Sequence, residues 1–324
     1  MLRIALIGAG LLGKTHLKNW KLISDTEIIG FYEPDDDLAF EITEQYQLPR
    51  FLHAGMLLDA CDVVDITVPV ISRFEWCEKA IKKGKHVFIP SPMSPNIYEA
   101  RQVVNLAEES GIKLQVQCTE RFDPSIMAIK DMQVNPLFIE MDHHTGNDEE
   151  NKNRSIVYSH LIHDMGVILS LVKSDIKTIT ASGVAVVADT ADMVNVRLEF
   201  HNGCVANLTC NRLPGKKEKT LKLFQKDSYI HVNMLNQKTE MLKIKESTDH
   251  NVFAFDIETD AGTKTLISED LLVPGTNAII TELEEFKHAI LNNTKPFISE
   301  IDGLMAIDVA HHVYSKISNY AMAK

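Results

Sequence analysis

The sequence predicts an α/β fold: a doubly wound parallel sheet over residues 1–120, then an α+β region with a mostly antiparallel sheet over residues 121–324. Three observations predict it. Short β-rich runs alternate with helical periodicity as far as Val116, the signature of βαβ units. A glycine-rich turn, GAGLLG at 8–13, joins the first of those runs to the first helix. Past Arg121 the pattern changes to one helix followed by strands separated by turn signals.

In chain order, the first region offers strands at Arg3–Ile7, Glu27–Tyr32, Val63–Thr67, His86–Ile89 and Lys113–Val116. Helical patterns lie between them at Leu11–Trp20, Asp37–Tyr46, Arg73–Lys83 and Ile97–Glu109, the last two closed by Gly84 and Gly111. In such a sheet ligands lie at the carboxyl ends of the strands. The second region begins with the polar stretch Asp142–Arg154, expected to be a loop, and a helix over Ser155–Val172. Strands follow at 176–187, Met193–Phe200, Cys204–Asn211, 219–224 and 228–233. Val194, Val196, Leu198 and Phe200 alternate with polar residues, so one face is buried, and the turn at His201–Gly203 makes a hairpin. The sheet's other face is a candidate dimer surface. Closing helices span Asn277–Leu291 and Ile301–Tyr320.

A chain of 324 residues with 45% hydrophobic and 24% charged residues is globular, and its length suggests two domains. Its formal charge of -12, from 33 basic and 45 acidic residues, argues against nucleic acid as a partner, because phosphate binding needs a basic surface. No apolar run approaches the ~20 residues of a membrane span, and the N-terminal run ends in a glycine turn without a signal-peptide pattern. The five scattered cysteines never form CxxC and read as reduced thiols, so a cytoplasmic location is expected.

The motif G-x-G-x-x-G is met by Gly8, Gly10 and Gly13, directly after a strand and at the mouth of a helix. Gly8 permits the tight turn, Gly10 lets backbone approach a pyrophosphate, and Gly13 lets helix and strand pack closely. Free amides at the helix N-terminus then meet the phosphate. Glu33, at the end of the second strand, can accept both ribose hydroxyls and repels a 2'-phosphate, so NAD is expected over NADP.

Together, GAGLLGKTH with His16, the acid Glu33, DVVDITVP at 62–69, GKHVF at 84–88 and ERFDP at 120–124 resemble the glucose-fructose oxidoreductase and inositol dehydrogenase family, Gfo/Idh/MocA. The resemblance covers nearly the whole chain. IHDMGVILSLV at 162–172, RLEFHNGCVANLT at 197–209 and DGLMAIDVA at 302–310 look like the branch containing UDP-N-acetylglucosamine dehydrogenases. It implies a Rossmann domain, a sheet domain that forms the substrate pocket, a homodimer or homotetramer, and oxidation of a sugar or nucleotide-sugar hydroxyl by hydride transfer to a nicotinamide. Leu11, Leu12, Pro69 and Pro92 join the three glycines and Glu33 as expected cofactor contacts.

Departures from the family pattern fall where its chemistry occurs. The family's Glu-Lys-Pro lysine is replaced here by Ser91, which supplies neither a cation nor, unaided, a base near neutral pH. The family's catalytic histidine is kept as His163, but Ser159 stands where an aspartate would share its helical face. Arg73 replaces a histidine common after the Val-Pro turn. His163, able to titrate near neutral pH, is the candidate acid/base, with a histidine packed under the domain interface as the alternative; Ser91 is a hydrogen-bonding partner, and Glu120, Arg121 and Ser159 are candidate substrate contacts. For Glu120 and Arg121 a structural ion pair is the alternative. His160 and Asp164, spaced i to i+4, could also pair. Arg212, Lys216, Lys217 and Lys219 form the densest basic group; such clusters are usually solvated turns, yet a sugar-nucleotide diphosphate would need some cation in this region. No histidine or cysteine spacing gives a metal site, and none is expected. A second reading is a catalytically impaired relative that binds NAD as a sensor or partner protein.

Overall fold

The computed structural model describes residues 1–146, 154–245, 253–259 and 262–321. They form two compact units: Met1–Phe122 with Thr276–Asp308, and Asp123–Gly275 with Val309–Lys324. Among the described residues no helix is long and apolar enough to cross a membrane.

In the first unit, β1 (Leu2–Ile7), α1 (Leu11–Trp20), β2 (Thr26–Tyr32), α2 (Asp36–Tyr46), α3 (Ala54–Ala60), β3 (Val63–Ile66), α4 (Arg73–Lys82), β4 (His86–Pro90), α5 (Ile97–Ser110) and β5 (Leu114–Gln117) follow in turn. The strands form a five-stranded parallel sheet in the order β2-β1-β3-β4-β5. Its central strands read as nearly continuous apolar runs because both faces are covered, and β3 is buried along its whole length. Helix ends obey local chemistry: Asp35 accepts from Leu38 N at 3.0 Å, Asn96 accepts from Tyr98 N at 2.9 Å, and Gly111 closes α5 at φ +67°. Helix α3 has no counterpart in the sequence reading.

The second unit contains α6 (Pro124–Met127), β6 (Phe138–His144), a π turn (Val157–Leu161) running into α7 (Ile162–Leu171), and the strands β7 (Ile176–Val184), β8 (Met193–Phe200), β9 (Val205–Asn211), β10 (Glu218–Gln225), β11 (Ser228–Asn233), β12 (Lys238–Lys245), β13 (Phe253–Thr259) and β14 (Gly262–Asp270). Nine strands pair in the order β13-β14-β12-β11-β10-β6-β9-β8-β7, all antiparallel except β6 with β9. The fold class is thus the one expected, and Val194, Val196, Leu198 and Phe200 are buried as the alternation requires. Several boundaries differ. Strand β6 reaches into the stretch expected to be a loop, whose residues 147–153 lie outside those described. Strand β7 stops at Val184 rather than 187, because the Asp192 carboxylate accepts the amides of Val186, Val187 and Ala188 at 2.7–3.1 Å and turns the chain. Strands β6 and β12 to β14 were not anticipated.

Cross-strand register explains the buried face of this sheet. Leu223, Ile139, Ala206 and Leu198 form one apolar row across β10, β6, β9 and β8, and Leu221, Met141, Leu208 and Val196 form the next. One step further along, the row becomes Lys219, His143, Cys210 and Val194. A row on the opposite face is polar: Lys222, Glu140, Asn207 and Arg197.

The closing helices are α8 (Ala278–Leu291) and α9 (Glu300–Ala321). Leu283 and Phe286 of α8 pack with Leu2, Ile4, Trp20, Ile23, Val63 and Phe88. That apolar face is why residues 276–308 belong to the first unit and not to the region that precedes them in sequence.

Candidate functional site

Residues 8–13 turn out of β1 into α1 by a route open only to glycine. Gly8 has φ +95°, in the left-handed region, and a Cβ there would sit 3.0 Å from Val68 N. At Gly13 an added Cβ would fall 2.5 Å from the Gly8 carbonyl oxygen, so the first turn of α1 packs directly on the strand exit. Gly10 is different: its Cβ position has nothing within 4 Å. It is the N-cap of α1 and has no side-chain cap, so the first amides of the helix have no side chain in front of them. An anionic group fits that opening, and the positive end of the helix dipole favours it. Leu12 is half-buried, while Leu11 is 74% exposed on the first helical turn.

Glu33 follows β2 and is buried, with its Oε2 accepting from Ala9 N at 2.8 Å and its Oε1 from Asp35 N at 3.1 Å. The carboxylate therefore ties the glycine turn to the end of the second strand. Each oxygen keeps further lone-pair capacity, which is what two ribose hydroxyls require. Arg50 donates to the Glu33 carbonyl at 2.9 Å and pairs with Asp36 at 2.6 Å, backing the same strand end.

Beyond β3 and β4, Arg73 organises the chain. Its buried guanidinium donates from Nε to the Val68 carbonyl at 3.2 Å and from Nη1 to the carbonyls of Pro90 and Pro92, at 3.1 and 2.6 Å. Residues 68–69 and 90–92 are thereby held together, with Pro69 exposed, Ser91 half-buried and Pro92 buried behind a cis Ser91–Pro92 bond. Arg73 is thus a clamp on the segment that carries Ser91.

Below this level lies a buried polar set. His16 Nδ1 is 2.9 Å from Asp65 Oδ2, which also accepts Trp20 Nε1 at 2.8 Å, and all three side chains are shut off from solvent. Burial, the largest single influence, pulls the His16 pKa down, but the charge and hydrogen bond of Asp65, with smaller help from Glu282 and Gln117, together outweigh it and the net shift is upward. Glu282 on α8, also fully buried, accepts from Cys118 N at 2.7 Å and Thr119 Oγ1 at 2.9 Å. Loss of solvent pushes its carboxyl up to about 8, against the hydrogen bonds that favour the anion. Next to Thr119 in sequence, Glu120 is half-buried, and Arg121 stacks 5.0 Å from the Phe297 ring, donates to the Phe297 carbonyl at 3.2 Å and lies 3.6 Å from Asp302. These partners of Arg121 are structural ones that the sequence reading did not identify, and the ion pair shown is with Asp302.

In the second unit, Ser159 lies within the π turn, and its hydroxyl donates to the Ser155 carbonyl at 3.0 Å. His163 is half-buried in the first turn of α7. Asp164 beside it is 1% exposed, with Oδ2 2.8 Å from His143 Nδ1 and Oδ1 3.3 Å from Lys219 Nζ. Asp164 thus has long-range partners on two strands, and His160 stays close to them, its ring edge-on to His143 at 5.4 Å. A cavity of about 270 Å³ opens here, lined among others by His143, His144, His160, Lys217, Glu218 and Lys219. Cys210 lies behind it, and the ligand atoms of His143, Asp164 and Cys210 all lie within 4.8 Å of one another. The basic group of the sequence is divided by the fold. Arg212 is buried against Asp192 at 3.0 Å and Thr190 at 2.8 Å, whereas Lys217 and Lys219 line the cavity.

Comparison with known proteins bears on both units. Residues 2–118 match the model of the Gfo/Idh/MocA oxidoreductase family, described by its NAD-binding Rossmann fold. The UDP-N-acetylglucosamine 3-dehydrogenase of Acidithiobacillus ferrooxidans is 25% identical over 313 residues, 96% of each chain. The scyllo-inositol 2-dehydrogenase (NAD(+)) of Bacillus subtilis is 21% identical over 95% of this chain and 91% of its own. A solved structure of the Acidithiobacillus enzyme superposes with a TM-score of 0.88, at 23% identity, covering 99% of this chain and 98% of that one.

Proposed function

We propose that this chain, whose residues 2–118 match the model of the Gfo/Idh/MocA family of NAD-binding oxidoreductases, is an NAD-dependent dehydrogenase acting on a hydroxyl of a sugar or nucleotide sugar. The observation that carries the cofactor half is the joint geometry of Gly10 and Glu33: open space over the N-terminus of α1 beside a carboxylate already bonded to that turn. The Acidithiobacillus relative, matched along 96% of both chains, supports the substrate half. A bound nicotinamide supplies the hydride acceptor. The amides at the start of α1 hold the pyrophosphate, and Glu33 accepts the ribose hydroxyls and disfavours a 2'-phosphate, so NAD is preferred to NADP.

In this reading the imidazole of His163 takes the proton of the substrate hydroxyl, and the hydride from the same carbon would pass to the nicotinamide when it is bound. Ser91, held through the Arg73 clamp on Pro90 and Pro92, hydrogen-bonds the ligand without supplying charge. Leu11, Leu12, Pro69 and Pro92 complete the cofactor contacts, and Glu120, Arg121 and Ser159 contribute to substrate binding. The protein works in the cytoplasm as a homodimer or homotetramer that uses the sheet of the second unit.

The test is a thermal-shift panel followed by turnover assays. NAD is expected to raise the melting temperature more than NADP does, because a ligand bound to the native state stabilises it. Glu33→Gln should weaken NAD binding about 10-fold or more, the order of one charge-assisted hydrogen bond. Reduced cofactor should accumulate with UDP-N-acetylglucosamine or a simple sugar. No shift with either dinucleotide sinks the reading, and binding without turnover of any sugar reassigns the chain to a non-catalytic role.

A further inference from the structure

In a chain carrying a net charge of -12, cationic and imidazole nitrogens gather at one place on the second unit. Lys219 and His143 occupy paired positions on β10 and β6, in the register row where the buried face of the sheet stops being apolar. Lys217 and His160 bring a second ammonium and a second imidazole to the same cavity, with His144 as the third imidazole and Glu218 as the carboxylate of the set. Asp164 lies against His143 and Lys219, almost without exposure, and fixes them by hydrogen bond and charge. Because a carboxylate only accepts hydrogen bonds, His143 presents its Nδ1 proton to Asp164 and leaves Nε2 for another partner. The side chains of Lys219 and His143 remain 12% and 13% exposed, so a ligand can reach them.

We propose that this cavity is an oxyanion subsite, in which Lys219, Lys217, His143 and His160 receive a phosphate or carboxylate group of the substrate. Its volume of about 270 Å³ lies below the ~300–1,000 Å³ of pockets that enclose a whole ligand, so it takes one charged group and not an entire nucleotide sugar. Lysine ammonium and imidazole N–H groups donate to such a group, and the buried Asp164 keeps Lys219 and His143 oriented before it arrives. Identifying the ligand as the substrate rests on the dehydrogenase reading above. The oxyanion chemistry itself does not.

The experiment titrates the full chain with UDP, inorganic pyrophosphate and glucuronate, followed by calorimetry and by phosphorus NMR for the first two. UDP and pyrophosphate binding identifies a phosphate site, and glucuronate binding in their place identifies a carboxylate site. Lys219→Gln should weaken whichever probe binds by about 10-fold or more, and Lys219→Arg should restore most of the affinity. Affinity should also fall as salt is raised. Melting curves of each variant establish that the fold is retained, and His143→Gln serves as a second probe should Lys219→Gln melt early. The proposal is overturned if none of the three anions binds, or if folded Lys219→Gln and His143→Gln bind as the parent does. It is equally overturned if cobalt(II) gives a thiolate absorption band that Cys210→Ser abolishes, since the same cluster would then be a cation site. Failure of NAD to raise the melting temperature would remove the dehydrogenase reading while leaving the anion result standing.

Discussion

Around Gly8–Gly13 the polar groups are main-chain amides steadied by the single carboxylate of Glu33, whereas around Asp164 they are side chains whose charges balance one another inside the protein. The first arrangement opens over a helix end with main-chain amides, and the second borders a small cavity with side chains anchored on the buried Asp164. The comparison teaches that damage to the two should have opposite signatures. Changes at the glycine turn should act mainly on ligand affinity, and changes at Asp164 mainly on the stability of the second unit.

The largest effect is expected from Asp164→Ala. It removes the buried carboxylate that Lys219 and His143 lie against and should cost about 3 kcal/mol, read as a lower urea midpoint. A midpoint within error of the parent would show that the cluster holds nothing together. Next comes a pair within the turn. Gly13→Ala forces a Cβ to 2.5 Å from the Gly8 carbonyl and should destabilise the first unit by about 1–3 kcal/mol. Gly10→Ala, whose Cβ meets no protein atom, should change stability by only about 0.5 kcal/mol while it weakens NAD binding. Unchanged NAD affinity in Gly10→Ala would mean that the dinucleotide does not cross that point.

The smallest effect is one of pH. Glu282 is pushed up to about 8 by burial, from an ordinary value of 4.5, so the folded state holds a proton that the unfolded state has released. Its contribution is fully present below pH 4.5 and fades as pH rises toward 8. Glu282→Gln keeps an acceptor for Cys118 N, places an amide donor where the carboxyl oxygen accepts from Thr119 Oγ1, and has no proton to release, so its stability should be flatter than the parent's between those limits. Parallel unfolding curves for parent and variant across that range would show that the carboxyl does not carry the proton.

What could be read from the sequence follows the same division. The glycine turn, the alternation of β8 and the parallel sheet all depend on residues near one another in the chain, where periodicity and turn chemistry speak directly. Glu33 was legible because its distance from the turn is set by one βα unit. The Asp164 cluster was not, since it joins a helix to β6 and β10, and β6 had been taken in part for loop. Its signal was present only as an unexplained acid inside an apolar helix, IHDMGVILSL. Glu282 was hidden similarly in the charged string TELEEF, where it resembles a solvated residue until α8 is placed on the sheet. Arg73 stood out as a departure from the family, but its three carbonyl partners come from segments that only the fold brings together.

The bond from Ala9 N to Glu33 has a kinetic corollary. A crevice already shaped by its own carboxylate has little loop entropy left to surrender when a dinucleotide docks, so association should be governed by encounter and not by a slow ordering step. Single-phase binding traces, with an observed rate that climbs linearly with ligand concentration, are the corresponding stopped-flow signature.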